Sequence, residues 1–211
     1  MPRLLCATDL LPKSEAAIDR AGMLAEQLQA HLSLLHVVSP TTSELNLEQA
    51  LQLAITGLKS RARAPEWRFG PLPEVAVRTG GPARLIIDSI DKHRVDLVVI
   101  GPHRKRGLRD VLEGTIAEKI LNTRQCPLLI VRQPADAEYK QVMLALDVSE
   151  ESGAAVQAAE ALILNARAQS MVMHVCEPPY QGMLRSAGVG TEELISYVNH
   201  SRRVAAAGDR D

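Results

Sequence analysis

Aromatic residues are nearly absent, at 2% of 211 residues, with one Trp, three Tyr and one Phe. Any core must therefore be aliphatic, and no platform for stacking nucleic-acid bases is readable. Cysteine is also sparse. Cys6, Cys126 and Cys176 are an odd number at wide spacing, which gives neither a disulfide framework nor a CxxC metal site. Cys6 and Cys176 sit in apolar runs and read as small hydrophobes. Neither sign of charge dominates. Lys and Arg number 24 and Asp and Glu 25, for a net charge of −1, so the basic excess of a nucleic-acid binder is missing. No apolar run reaches the length of a membrane helix, and Met1 to Leu5 lacks the pattern of a secretory leader. These absences lead us to expect a cytoplasmic protein in a reducing compartment, with neither nucleic acid nor membrane as partner.

What is present is ample aliphatic material, with 46% of residues apolar. Its periodicity alternates between short runs and helical spacing. Arg3 to Ala7 reads as a strand, and Ser14 opens a helix with Ala17, Ile18, Ala21, Leu24, Ala25 and Leu28 on one face. His31 to Val38 is a nearly all-apolar strand, as expected when both faces are buried. A helix follows over 44–63, turns over 65–73, and a strand from Glu74 to Thr79. Pro82 suits the first turn of a helix that runs to about His93. A strand from Val95 to Ile100, a helix from Gly114 to about Asn122 and a strand from Leu128 to Val131 complete the series. This alternation predicts an α/β fold, a doubly wound parallel five-stranded sheet.

The pattern then restarts. Shifted by 138 positions, Leu4–Pro40 lies on Val142–Pro178 without a gap. Ala7, Asp9, Ser14, Ala17, Leu24, His36, Val37 and Pro40 meet identical residues. A period of this length is domain-sized. We therefore expect a complete domain over 1–133, a polar linker from Gln133 to Glu138, and a partial second copy over 139–211. That copy has strands from Gln141 to Leu146 and from Ser170 to Cys176. Its helices run from Ser149 to about Ala166 and from Thr191 to about Ala206, with a loop over 177–190. A half sheet has an open edge, and a symmetric homodimer is the expected closure.

Ligands of open α/β sheets bind beyond the carboxyl ends of the strands. Asp9, Val38, Thr79-Gly80 and Gly101 all fall there. Gly101 allows a tight turn. His103, Arg104, Lys105, Arg106 and Arg109 follow, and Gly114-Thr115 opens the next helix, where free N–H groups favour an anion. Asp9 and Asp147 also suit turns or helix entry. His36 and His174 suit strand ends, since neither a nucleophile nor metal-ligand spacing stands nearby. Trp67 and Phe69 suit a plug over apolar surface.

Taken together, Leu4-Leu5-Cys6-Ala7-Thr8-Asp9, Leu35-His36-Val37-Val38, Asp96 to Gly101, Gly114 to Leu121 and Cys126 to Val131 resemble a universal stress protein domain. The restart from Tyr139 resembles the second domain of tandem members. The resemblance implies an adenine nucleotide alpha hydrolase-like fold and a stress-response module that acts by binding, without catalytic machinery. Members that bind ATP with Mg²⁺ carry G-x-x-G-x9-G-[ST]. Here Gly101, Gly114 and Thr115 match, while Arg104 stands at the middle glycine. The implied nucleotide site comprises Asp9, Val38, Gly101, His103, Arg104, Gly114 and Thr115. An Arg where backbone should approach phosphate makes a silent loop the leading expectation. An ATP-binding member with weak hydrolysis or a nucleotide switch is the alternative.

Overall fold

The computed structural model describes residues 1–39, 44–64, 67–102, 115–147, 149, 151–166, 168–175 and 180–208. The chain divides into two compact units, the first built from 1–140 with 161–168, the second from 141–160 and 169–211.

The first unit follows the predicted order closely. Its strands are β1 (Arg3–Thr8), β2 (His31–Val38), β3 (Glu74–Thr79), β4 (Leu97–Ile100) and β5 (Leu128–Ile130). A 3-10 turn (Pro12–Ser14) leads into α1 (Glu15–Gln27), followed by α2 (Glu44–Ala62), α3 (Pro82–His93) and α4 (Ile116–Leu121). The five strands pair in parallel in the order β3-β2-β1-β4-β5, so the direction of winding reverses between β1 and β4.

Strand alternation explains why two helix layers are needed. Successive side chains point to opposite faces. Leu4, Cys6, Leu32, Leu34 and Val99 enter one core with Ile18, Ala21 and Leu24 of α1 and Leu58 and Ala62 of α2. Leu5, Leu35, Val98 and Ile100 enter the other with Ile86 and Ile90 of α3 and Ile120 of α4. Val98 and Val99 are adjacent, face opposite ways, and are both fully buried. Such a strand must be apolar throughout, which is how β4 reads in sequence.

The two aromatics of the 65–73 turn region behave as the expected plug. Trp67 and Phe69 meet edge to face at 5.3 Å. Trp67 packs on the α1 side of the core, and Phe69 is buried. Gly22 on α1 makes room for them, because a Cβ there would stand 2.4 Å from Phe69 Cδ2.

Some boundaries differ from the sequence reading. β4 starts at Leu97, because Asp96 turns aside and its Oδ2 accepts the Arg3 N–H at 2.8 Å. α4 starts at Ile116 with Thr115 extended before it. Residues 133–138, read as a polar linker, fall within the first unit, where Ala135 is buried and its neighbours stay exposed.

The second unit holds the parallel pair β6 (Gln141–Leu146) and β7 (Gln169–His174); α5 (Glu151–Ala166) follows β6 in the chain, with residues 161–166 assigned to the first unit. α6 (Gln181–Ser186) and α7 (Thr191–Gly208) follow. α6 lies within the stretch read as loop, where the local Pro and Gly content hid a six-residue helix. No helix among the described residues is long and apolar enough to cross a membrane.

Candidate functional site

The reversal of winding at β1 and β4 opens a cleft of about 1310 Å³ beyond the strand ends, where open α/β sheets hold ligands. Its floor comes from Ala7, Thr8, Leu35, Val37 and Ile100, and α3 contributes Ile86 and Ile87. Asp9, Ser14, His36, Gly101 and Thr115 also line it, with the cations Lys13, Lys119 and Arg132 and with Arg84, which pairs with Asp88 at 3.8 Å.

The β1 end is held by a compact hydrogen-bond chain. Thr8 Oγ1 accepts the Leu10 N–H at 3.0 Å and lies 2.9 Å from Ser14 Oγ. Ser14 Oγ is 2.8 Å from both Asp9 Oδ1 and the Leu11 carbonyl, and Asp9 Oδ1 also accepts the Leu11 N–H at 3.1 Å. The single Ser14 hydroxyl proton serves these two acceptors, so the 2.9 Å contact with Thr8 has Thr8 Oγ1 as its donor. This arrangement lets the chain leave β1 and enter α1 with its polar groups paired. Asp9 is therefore a turn residue and a cleft residue at once. His36 Nδ1 lies 2.8 Å from the Thr8 carbonyl. A carbonyl only accepts, so Nδ1 carries the proton, and the ring ties the end of β2 to that of β1.

Gly101 has a packing reason for being glycine. A Cβ there would meet the Ser14 Cα at 3.2 Å and the Lys13 carbonyl oxygen at 3.5 Å. The absent side chain lets the β4 end pass close to the turn before α1. Thr115 is the N-cap of α4 in a reciprocal capping box. Its Oγ1 accepts the Glu118 N–H at 3.1 Å, and Glu118 Oε2 accepts the Thr115 N–H at 2.7 Å. Two donors expected to face an anion thus bond within the helix start, one of them to the protein's own carboxylate. Val38 takes the alternate face from Val37. Its carbonyl accepts the Gly80 N–H at 3.1 Å, and Val37 is the residue that lines the cleft. Period-two alternation was the signal that distinguishes the two. His103, Arg104 and Gly114 lie outside the described residues. Lys13, Lys119 and Arg132, dispersed in sequence, are brought to the cleft only by folding.

In the second unit Asp147, Ser152 and His174 stand 138 positions after Asp9, Ser14 and His36. Ser152 Oγ donates to Asp147 Oδ1 at 2.7 Å, and His174 Nδ1 lies 2.9 Å from the Leu146 carbonyl. Hydrogen bonds from Ser149 and Ser152 lower the Asp147 pKa to about 2. Leu146 replaces Thr8, so the hydroxyl relay of the first unit has no counterpart here. Among the described residues no three His, Cys, Asp or Glu side chains are grouped to hold a metal ion.

Comparison with known proteins gives a consistent result. Residues 1–132 match the universal stress protein family. Universal stress protein A homolog 1 of Coxiella burnetii is 32% identical over 142 residues, covering 61% of this chain and 94% of that protein. Universal stress protein YxiE of Bacillus subtilis is 32% identical over 145 residues, covering 62% and 98% respectively. A solved universal stress protein from Archaeoglobus fulgidus shares the fold with a TM-score of 0.68 at 18% identity, covering 88% of this chain and 72% of its own. With the family matched across the whole five-stranded unit and its cleft, this chain belongs to the universal stress protein family.

Proposed function

We propose that this universal stress protein acts by binding a small ligand in the β1/β4 cleft rather than by turning it over. The observation that carries this reading is the engagement of the polar groups at the β1 end. Ser14 is buried, and its hydroxyl is shared among Thr8, Asp9 and Leu11. His36 Nδ1 is committed to the Thr8 carbonyl. These bonds build a rigid pocket wall; an attacking hydroxyl would instead need a base free to take its proton.

A second reading is an ATP-binding member with weak hydrolysis or switch behaviour. Lys13, Lys119 and Arg132 favour it, because charge-assisted bonds from these side chains suit phosphate. Asp9, Val38, Gly101, His103, Arg104, Gly114 and Thr115 are its proposed contacts, with Val37 added by its place in the cleft. Mg²⁺ would then rest largely on phosphate oxygens and water. Arg104 in the loop and Glu118 at the α4 start argue against a polyphosphate.

Mass spectrometry of the purified protein for a co-purifying nucleotide, paired with thermal shifts in ATP and Mg²⁺, separates the two. No nucleotide and no shift support a silent loop. Stabilisation that grows with ATP concentration and disappears in Gly114→Val supports the second reading. Binding that emerges only in Arg104→Gly assigns the silence to that residue.

We also read the second unit as the first half of another domain, with the units placed over 1–133 and 139–211. The shared bonds at Asp147 and His174 support this reading. A cytoplasmic homodimer that covers the exposed β6–β7 pair is the expected assembly. A monomeric mass by light scattering at high concentration would overturn the dimer.

A further inference from the structure

The segment after β5 returns across α1 and is fastened by one buried arginine. Arg20 is 6% exposed. Its Nη1 donates to the Ala137 carbonyl at 2.8 Å, and its guanidinium carbon stands 4.1 Å from the centroid of the Tyr139 ring. Ala135 is 7% exposed, and Tyr139 packs against the α1 side of the core. Val131 anchors the other end through its N–H to the Ile100 carbonyl at 2.9 Å. Residues 132–140 are thus a strap belonging to the first unit.

The fastening is electrically incomplete. The cation is out of water, yet its contacts are a neutral carbonyl and a ring face, and no carboxylate pairs with it among the described residues. Its Nε is buried with no protein acceptor. Its neighbour on the helix, Asp19, is already bound to Arg61. Burying a charge this way is costly, while a cation–π contact and a single hydrogen bond to a charged donor return only part of that cost. Hydration of Arg20 therefore works against closure, whereas the Tyr139 ring and Ala135 work for it.

We propose that the strap is a releasable latch, one that opens locally while the sheet stays folded because opening returns the Arg20 charge to water. Opening converts residues 132–140 from packed chain into tether ahead of Gln141. It also uncovers the Tyr139 ring and the α1 surface beneath it. Arg132 starts the strap and also lines the cleft, whereas Lys140 at the far end does not line it, so cleavage at Lys140 reports the latch apart from the cleft.

Limited trypsinolysis of the full chain, followed by mass spectrometry, tests this at Arg132 and Lys140, with Lys92 in α3 as the reference for opening of the folded unit. In the wild type, Arg132 and Lys140 should be cut at least tenfold faster than Lys92. Arg20→Met keeps an unbranched apolar stem and removes the charge; it should slow strap cleavage about tenfold. Tyr139→Leu removes the ring and should speed it by a similar factor, with Lys92 unchanged in both. Strap sites cut no faster than Lys92 would overturn the latch. So would Arg20→Met opening the strap as Tyr139→Leu does, since the arginine would then be net glue.

Discussion

At the scale of single residues, Cys6 shows how burial replaces chemistry. It is fully buried beneath α1, and burial pushes its thiol from 9.0 up to about 12, with the Glu15 carboxylate adding to the effect. The folded state therefore favours the protonated thiol. That contribution to stability is complete below pH 9 and is lost as pH rises toward 12. Chemical denaturation from pH 8 upward should show stability falling from about pH 9, with the slope removed in Cys6→Ala. Iodoacetamide at pH 8 should leave Cys6 unmodified until the protein unfolds. Gly22 gives a steric counterpart. Gly22→Ala drives a methyl into the Phe69 ring, and overpacking of this kind costs about 1–3 kcal/mol. Denaturant unfolding should show that loss, and Phe69→Leu should relieve most of it in the double variant. The sequence placed Gly22 on α1 and Phe69 in a turn, but their contact was not legible, because it joins residues far apart in the chain.

At the scale of elements, period and punctuation were enough. β3, α3 and β6 fall where the apolar pattern puts them, since β3 alternates, Pro82 starts α3, and β6 repeats β1. The differences lie at ends, where side chains decide. Thr115 moves the start of α4 because its hydroxyl serves the Glu118 N–H. Thr115→Ala should cost about 1 kcal/mol, whereas Glu118→Gln preserves a reciprocal box and should cost less. Urea midpoints at unchanged m-value check both. The six-residue α6 escaped because Gly182 and the nearby Pro and Gly residues speak for loop, and fewer than two helical turns carry too few apolar positions to contradict them. Among the site residues, Asp9, Gly101 and Thr115 were readable from strand ends and turn chemistry. That Val37 lines the cleft needed the face of β2. Lys13, Lys119 and Arg132 had no common sequence signal at all.

At the scale of the whole molecule, the two units differ in how their sheets are covered. In the first, helices cover both faces of the sheet, β4 is buried on both faces, and the edge strands β3 and β5 are partly exposed. In the second, every residue of β7 is exposed, and Met143, Met171 and Val172 show more than half of their surface. Local stability follows buried apolar contact. Hydrogen exchange should therefore protect β1 and β4 amides at least a hundredfold more than those of β6 and β7 in the same chain; equal protection would mean that the second sheet is covered in solution. The α/β class, the five-strand order of elements, the sequence similarity at an offset of 138 residues and the strand ends where a cleft could form were all legible in the sequence. All of these are consequences of local periodicity, turn residues and internal similarity. Folding alone sets which face of β2 lines the cleft, which cations reach it, why Gly101 must lack a side chain, and that the segment 133–138 is held against α1 through Arg20. Each of these depends on distant segments meeting in space, where packing distance and the cost of burying charge, rather than local propensity, select the outcome.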